Sequence, residues 1–207
     1  MLKDRFNLRK VAIIFACLAV ATTFLSCKKD SKNNGNEGKF HWSNKSNIFV
    51  VIDSVKYNLY DRITVQNLID AGYTLDDKLS ANQEYNISDD LRGETASTIS
   101  MYKDGRKYFN VKPILPIVGK AVLKNCVIDE FYITYYSYNE KNISVMGELK
   151  SKCTKEEVQD VFGNPTKQNN TLLFYNDDPI RGAYFYFYFD KGASYGVTTI
   201  KVGCWLE

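Results

Sequence analysis

From Ala183 to Phe189 the chain alternates without a break: Phe185, Phe187 and Phe189 fall on one side of a strand, and Tyr184, Tyr186 and Tyr188 on the other. Two further apolar runs frame it, TLLFY at 171–175 and VTTIKVGCW at 197–205, separated by the turn-rich segments NDDPIRG and KGASYG. The three runs read as an antiparallel meander. The same pattern holds upstream. TASTISMYKDGRKYFNVKP is a hairpin whose two runs meet at Asp104-Gly105, a pair suited to a tight primed turn, with Pro113 and Pro116 closing it. Residues 114–125 are a connection, and CVIDEFYITYYSY at 126–138 is a long strand. NIFVVIDSVKYNL at 47–59 reads as a strand or bent hairpin about Asp53-Ser54, and the polar stretch 79–95 as a loop.

Helical spacing appears twice. Val65, Leu68 and Ile69 recur at i, i+3 and i+4, with Asp61 as the cap and Gly72 as the stop. Thr154 and Glu157 form a capping box ahead of Val158, Val161 and Phe162, and Gly163-Asn164-Pro165 ends that helix. A shift of 93 residues carries Asp61 onto Thr154, Val65 onto Val158, Leu68 onto Val161 and Ile69 onto Phe162. The expected fold class is therefore α+β: two tandem units, residues 46–140 and 141–207, each a short helix packed on a three- to four-stranded antiparallel sheet.

The first 45 residues follow another pattern. Residues 1–10 carry Lys3, Arg5, Arg9 and Lys10 against one acid, Asp4, and residues 11–25 carry no charge. A basic start, a short apolar run and a small residue describe an export signal. The run is short for a spanning helix, which needs roughly 20 apolar residues. An ordinary signal peptide or an uncleaved anchor helix would share these features. Phe24-Leu25-Ser26-Cys27 resembles a bacterial lipobox, although Leu is more usual where Phe24 stands. The resemblance implies a signal peptide over 1–26, cleavage before Cys27 and lipid on its thiol, hence a membrane partner through that anchor. Residues 27–45 then read as a flexible polar tether, since 28–39 lack any apolar side chain. Cys27-Lys28-Lys29-Asp30-Ser31 partly resembles the export signal of surface-exposed lipoproteins in Bacteroidota, with one acid after the lysines. The expected location is the outer membrane of a Gram-negative bacterium, lipid-anchored and facing either the periplasm or the surface.

CTKEEVQDVFGNPT resembles the segment that opens domains of the outer-membrane assembly lipoproteins of the BamE/SmpA type and of the β-lactamase-inhibitor-protein-like fold. The matching positions are Thr154, Glu157, Val158, Phe162, Gly163 and Pro165. The likeness covers roughly 143–205, with a weaker echo over 47–138. It implies a non-catalytic body that binds proteins through its sheet, and it places no binding residue.

Composition narrows the chemistry. The formal net charge of +3 lies in the signal: without residues 1–26, which hold four basic residues and one acid, 27 Lys+Arg and 24 Asp+Glu become 23 of each. A neutral body gives no basic face for nucleic acid. No CxxC motif occurs, and the one histidine, His41, lies in the tether, so a zinc site or a Cys-His nucleophile lacks partners. Cys126, Cys153 and Cys204 are an odd number, so at least one has no partner within the chain. No phosphate loop is present, and no cofactor is implied. The paired acids Asp76-Asp77, Asp89-Asp90 and Asp177-Asp178 lie on turns, not across a cleft. The candidate binding face is tyrosine: Tyr184, Tyr186 and Tyr188 on one strand, with Tyr132 and Tyr136 on the earlier long strand. Cross-strand ring pairs that merely stabilise the sheet would give the same pattern. The functional expectation is a non-enzymatic protein-binding or assembly module of the cell envelope. A small envelope hydrolase or carbohydrate-binding protein is the alternative.

Overall fold

Asp53-Ser54 and Asp104-Gly105 both take left-handed backbone, φ 50° and 69° in the first pair and 52° and 71° in the second. Each folds its flanking run back as a tight hairpin, because two consecutive positive φ values match the right-handed twist of the strands. The computed structural model that shows this describes residues 38–86, 98–114, 120–178, 182–190 and 196–204. Cys27, the segment read as a signal and most of the tether lie outside the described residues.

The first hairpin is β1 (Phe49–Ile52) and β2 (Val55–Asn58). With β9 (Ile143–Val145) it makes a three-stranded antiparallel sheet, order β2-β1-β9. The second is β5 (Ile99–Lys103) and β6 (Arg106–Ile114), part of a larger sheet. Its other strands are β3 (Thr74–Leu75), β8 (Val127–Thr134), β10 (Lys167–Asn169), β11 (Leu172–Asn176), β12 (Ala183–Phe189) and β13 (Val197–Cys204). The order is β10-β11-β12-β13-β8-β6-β5-β3, with antiparallel pairing throughout. A small pair joins β4 (Glu84–Asn86) to β7 (Lys120–Val122).

The helices are short: α1 is Val65–Asp70 and α2 is Lys155–Phe162. Both open on a complete capping box, Thr64 with Asn67 and Thr154 with Glu157. Thr64, not Asp61, caps α1. Asp61 ends a short 3-10 turn, and the left-handed Arg62 (φ 53°) separates it from the helix.

One face of the large sheet carries the core. Phe109, Val111, Phe131, Ile133, Phe185, Phe187, Ile200 and Val202 are buried there and follow the period-two rule through four strands. Phe162 of α2 sits 4.8 Å from Phe185 and 5.5 Å from Phe187, ring centre to ring centre. Tyr57 of β2 lies 6.1 Å from Phe131. The described end of the predicted tether joins this core: Phe40 is buried 4.9 Å from Phe162, and its backbone N–H donates to Val161. Gly38 allows that approach, because a Cβ there would run into the backbone at Phe162 and Gly163.

These facts correct the expected α+β arrangement of short helices on separate three- to four-stranded sheets. The body is mostly β. β8 and β13 pair directly and fuse the strands of both halves into one eight-stranded sheet. That pairing satisfies two rows of backbone groups that separate units would leave as open edges. Helices of six and eight residues cover little of such a sheet, and β1, β2, β9 and the segment at Phe40 supply further cover. Two smaller expectations also change. The loop at 79–95 contains β4, and Pro113 lies inside β6, where a register shift against β8 tolerates a residue with no N–H to donate.

Candidate functional site

The opposite face of the eight-stranded sheet is where the sequence-predicted tyrosines gather. Strand register sets three rows across it. Phe174, Tyr186, Lys201, Tyr132, Asn110 and Ser100 form the central row. Tyr184, Gly203, Glu130 and Lys112 lie on one side of it. Leu172, Tyr188, Thr199 and Thr134 lie on the other.

The rings pack as a stripe. Phe174 and Tyr186 are 4.4 Å apart, and Tyr186 stacks on Tyr188 at 6.1 Å with planes 11° apart. Tyr132, Tyr186 and Tyr188 are half-buried, each keeping part of its surface in water. Lys201 lies among them, its Nζ 5.2 Å from the centre of the Tyr132 ring and 3.4 Å from Glu130 Oε1. Burial pushes the Tyr186 and Tyr188 hydroxyls above their ordinary pKa, and the charge of Glu130 adds to this.

Tyr184 differs from its neighbours. Only 5% of it is exposed, and its hydroxyl donates to Glu130 Oε2 at 2.7 Å. The ring crosses β13 at Gly203, the one position in its row without a side chain to block it. Tyr184 is therefore a structural brace under the face, and Tyr186 and Tyr188 are the half-buried rings that keep part of their surface in water. Tyr136 does not belong to this face. It follows β8 in a loop, 39% exposed, stacked on Tyr138 at 5.2 Å with planes 10° apart.

The polar members escaped the sequence reading. Lys201 and Glu130 could have been found by extending the alternation rule to VTTIKVGCW and CVIDEFYITYYSY. Asp129 could not. It is the extra residue of a β-bulge, since Glu130 faces Lys112 and Ile128 faces Pro113, leaving Asp129 unpaired in register. Its Oδ2 lies 3.7 Å from Lys112 Nζ, while Oδ1 is buried without a hydrogen bond. Burial raises its pKa from 3.8 to about 6, Lys112 pulls it back, and Glu130 adds to the rise. Asp129 and Glu130 are consecutive on one strand, a local charge pair rather than two carboxyls set across a cleft.

Cys126 and Cys204 are buried free thiols and Cys153 is a half-buried one. Burial raises all three, Cys204 to about 12, so none is primed as a nucleophile. Among the described residues, no three His, Cys, Asp or Glu side chains gather as metal ligands, and no helix is long and apolar enough to cross a membrane. No family model, no curated protein and no solved structure matches this chain.

Proposed function

We propose that this chain is a non-catalytic binding module of the cell envelope, held at the outer membrane by lipid on Cys27, which engages a protein partner through the outer face of its eight-stranded sheet. The observation that carries this reading is the stripe of half-exposed rings, Tyr132, Tyr186 and Tyr188, packed with Phe174 around Lys201. Rings already fixed by their neighbours lose little freedom on binding, and each offers a large apolar surface with a hydroxyl at its edge. Tyrosine is enriched in interface cores for these reasons. The Lys201–Glu130 pair adds an oriented charge inside the stripe.

Two outcomes test the two halves of the proposal. Tyr186→Ser should keep the far-ultraviolet circular dichroism of the wild type and weaken capture of the native partner from intact, crosslinked cells. The expected loss is that of a central interface residue, about 2 kcal/mol or roughly thirtyfold in affinity. Equal recovery of partners by both forms would leave the rings as sheet stabilisers only. Cys27→Ala should move the protein from the membrane fraction to the soluble fraction, because multiple acyl chains, not the neutral body, hold it there. Unchanged partitioning would remove the anchor.

A further inference from the structure

We propose that the end of the β5–β6 hairpin carries a second site, separate from the tyrosine face, for one acidic sugar residue: a ring with an apolar side and a single carboxylate. The place is a cavity of about 310 Å³ lined by Lys103, Asp104, Arg106, Tyr108, Tyr138 and Asn142. That volume is at the lower end for small-molecule sites and suits one ring rather than a chain.

The walls are prearranged. Asp53, at the β1–β2 turn, accepts hydrogen bonds from Lys103 Nζ at 2.7 Å, Tyr73 Oη at 2.6 Å and Tyr108 Oη at 2.9 Å. Burial pushes the Asp53 carboxyl up, but these three donors outweigh it and hold the group below the ordinary carboxylate range. Asn142 Nδ2 donates to Tyr108 Oη at 3.0 Å. Tyr138 is fixed from the other side: its hydroxyl donates to the Lys107 carbonyl at 2.6 Å, and its ring stacks on Tyr136. The fully buried Asn139 ties the Tyr136–Tyr138 loop down, donating to the Tyr108 and Thr134 carbonyls and accepting from the Tyr136 N–H.

Arg106 is left for a ligand. Its guanidinium lies 5.5 Å from the centre of the Tyr138 ring and has no ion-pair partner among the described residues. A guanidinium held over a ring offers paired N–H donors suited to a carboxylate. Charge count chooses among anions. Lys103 is already paired with Asp53, and Asp104 lines the same cavity as Arg106, so the surroundings are close to neutral. Of the two lining cations among the described residues, Arg106 is the one outside an ion pair: its guanidinium can pair a single carboxylate, whereas a dianionic phosphate would bring a second negative charge beside Asp104 with no cation to meet it. The half-exposed edge of Tyr138 gives the cavity an apolar side, and the Asp, Asn and Tyr groups supply both donors and acceptors for hydroxyls.

Titration of the full body with glucuronate, glucose, acetate and inorganic phosphate, followed by NMR shifts of residues 103–108 and 136–142, tests the site. Glucuronate should bind in the millimolar range and about tenfold or more tighter than each of the other three, the difference one bidentate pair supplies. Arg106→Ala, at an exposed position that leaves the fold intact, should reduce glucuronate to the affinity of glucose. Tyr138→Leu should weaken glucuronate and glucose together. Equal binding of acetate, tighter binding of phosphate, no discrimination between glucuronate and glucose, or shifts unchanged by Arg106→Ala would each overturn the proposal.

Discussion

Gly203→Ala is expected to cost about 3 kcal/mol of stability, far more than one added methyl group in an open sheet. A Cβ at Gly203 would overlap the hydroxyl end of the Tyr184 ring, at Cζ and Oη, well below contact distance. The ring can leave only by breaking its hydrogen bond to Glu130 and exposing a surface that is 5% accessible in the native state. Overpacking typically costs about 1–3 kcal/mol, and stranding a buried carboxylate without its donor adds about 1–3 more, partly relieved by Lys201 at 3.4 Å. Urea unfolding measures the loss, and near-ultraviolet circular dichroism should report the displaced tyrosine. A second substitution makes the cause specific. In a Tyr184→Ala background the obstacle is gone, so Gly203→Ala should be close to neutral, and the two changes should couple by about 2 kcal/mol. If Gly203→Ala costs the same in both backgrounds, the ring does not brace the strand. The outcome matters for the proposed binding face because Tyr186, 5.8 Å from Tyr184, rests against this brace.

Why part of this architecture was legible and part was not follows from the distance over which each signal acts. The alternation of Ala183–Phe189 is local, so the division of Phe and Tyr between two faces could be read directly, and the register bears it out for Tyr184, Tyr186, Tyr188 and Tyr132. The Asp104-Gly105 turn is equally local. The joining of β8 to β13 is not. These strands lie about seventy residues apart, and nothing in either marks its partner, so a pattern reading left two units where the chain forms one sheet. Tyr136 was misplaced because the strand ends at Thr134, and past that point period two no longer assigns a face. The Asp53 hub joins residues 20, 50 and 55 positions apart, and a turn aspartate reads as an ordinary turn former until its partners are seen. Asp129 was hidden by its bulge, which breaks the alternation rule that located its neighbours.

Asp129→Asn is expected to stabilise the protein at pH 7 by about 2–3 kcal/mol and to flatten its stability between pH 4 and 7. Burial lifts the Asp129 carboxyl from 3.8 to about 6 in the folded chain, with Lys112 pulling down and Glu130 pushing up. The folded state therefore holds the proton more tightly than the unfolded state. The stability this gives is complete below pH 3.8, declines as the unfolded carboxyl ionises, and is lost once pH passes about 6. A shift of about two units corresponds to about 3 kcal/mol. Asparagine stays neutral across this range, so the buried position no longer holds a charge at pH 7. Urea midpoints from pH 4 to 7.5 should therefore separate the variant from the wild type only at the upper end. A wild-type profile flat across this range, or a variant less stable at pH 7, would mean that the carboxylate is not desolvated. The charge that weakens the fold at neutral pH sits at a bulge next to Glu130 and Lys112, on the side row of the proposed binding face, and the proposed binding role would account for its cost. The same substitution should then alter partner capture at pH 7, while at pH 4, where Asp129 is itself largely protonated, variant and wild type should capture alike.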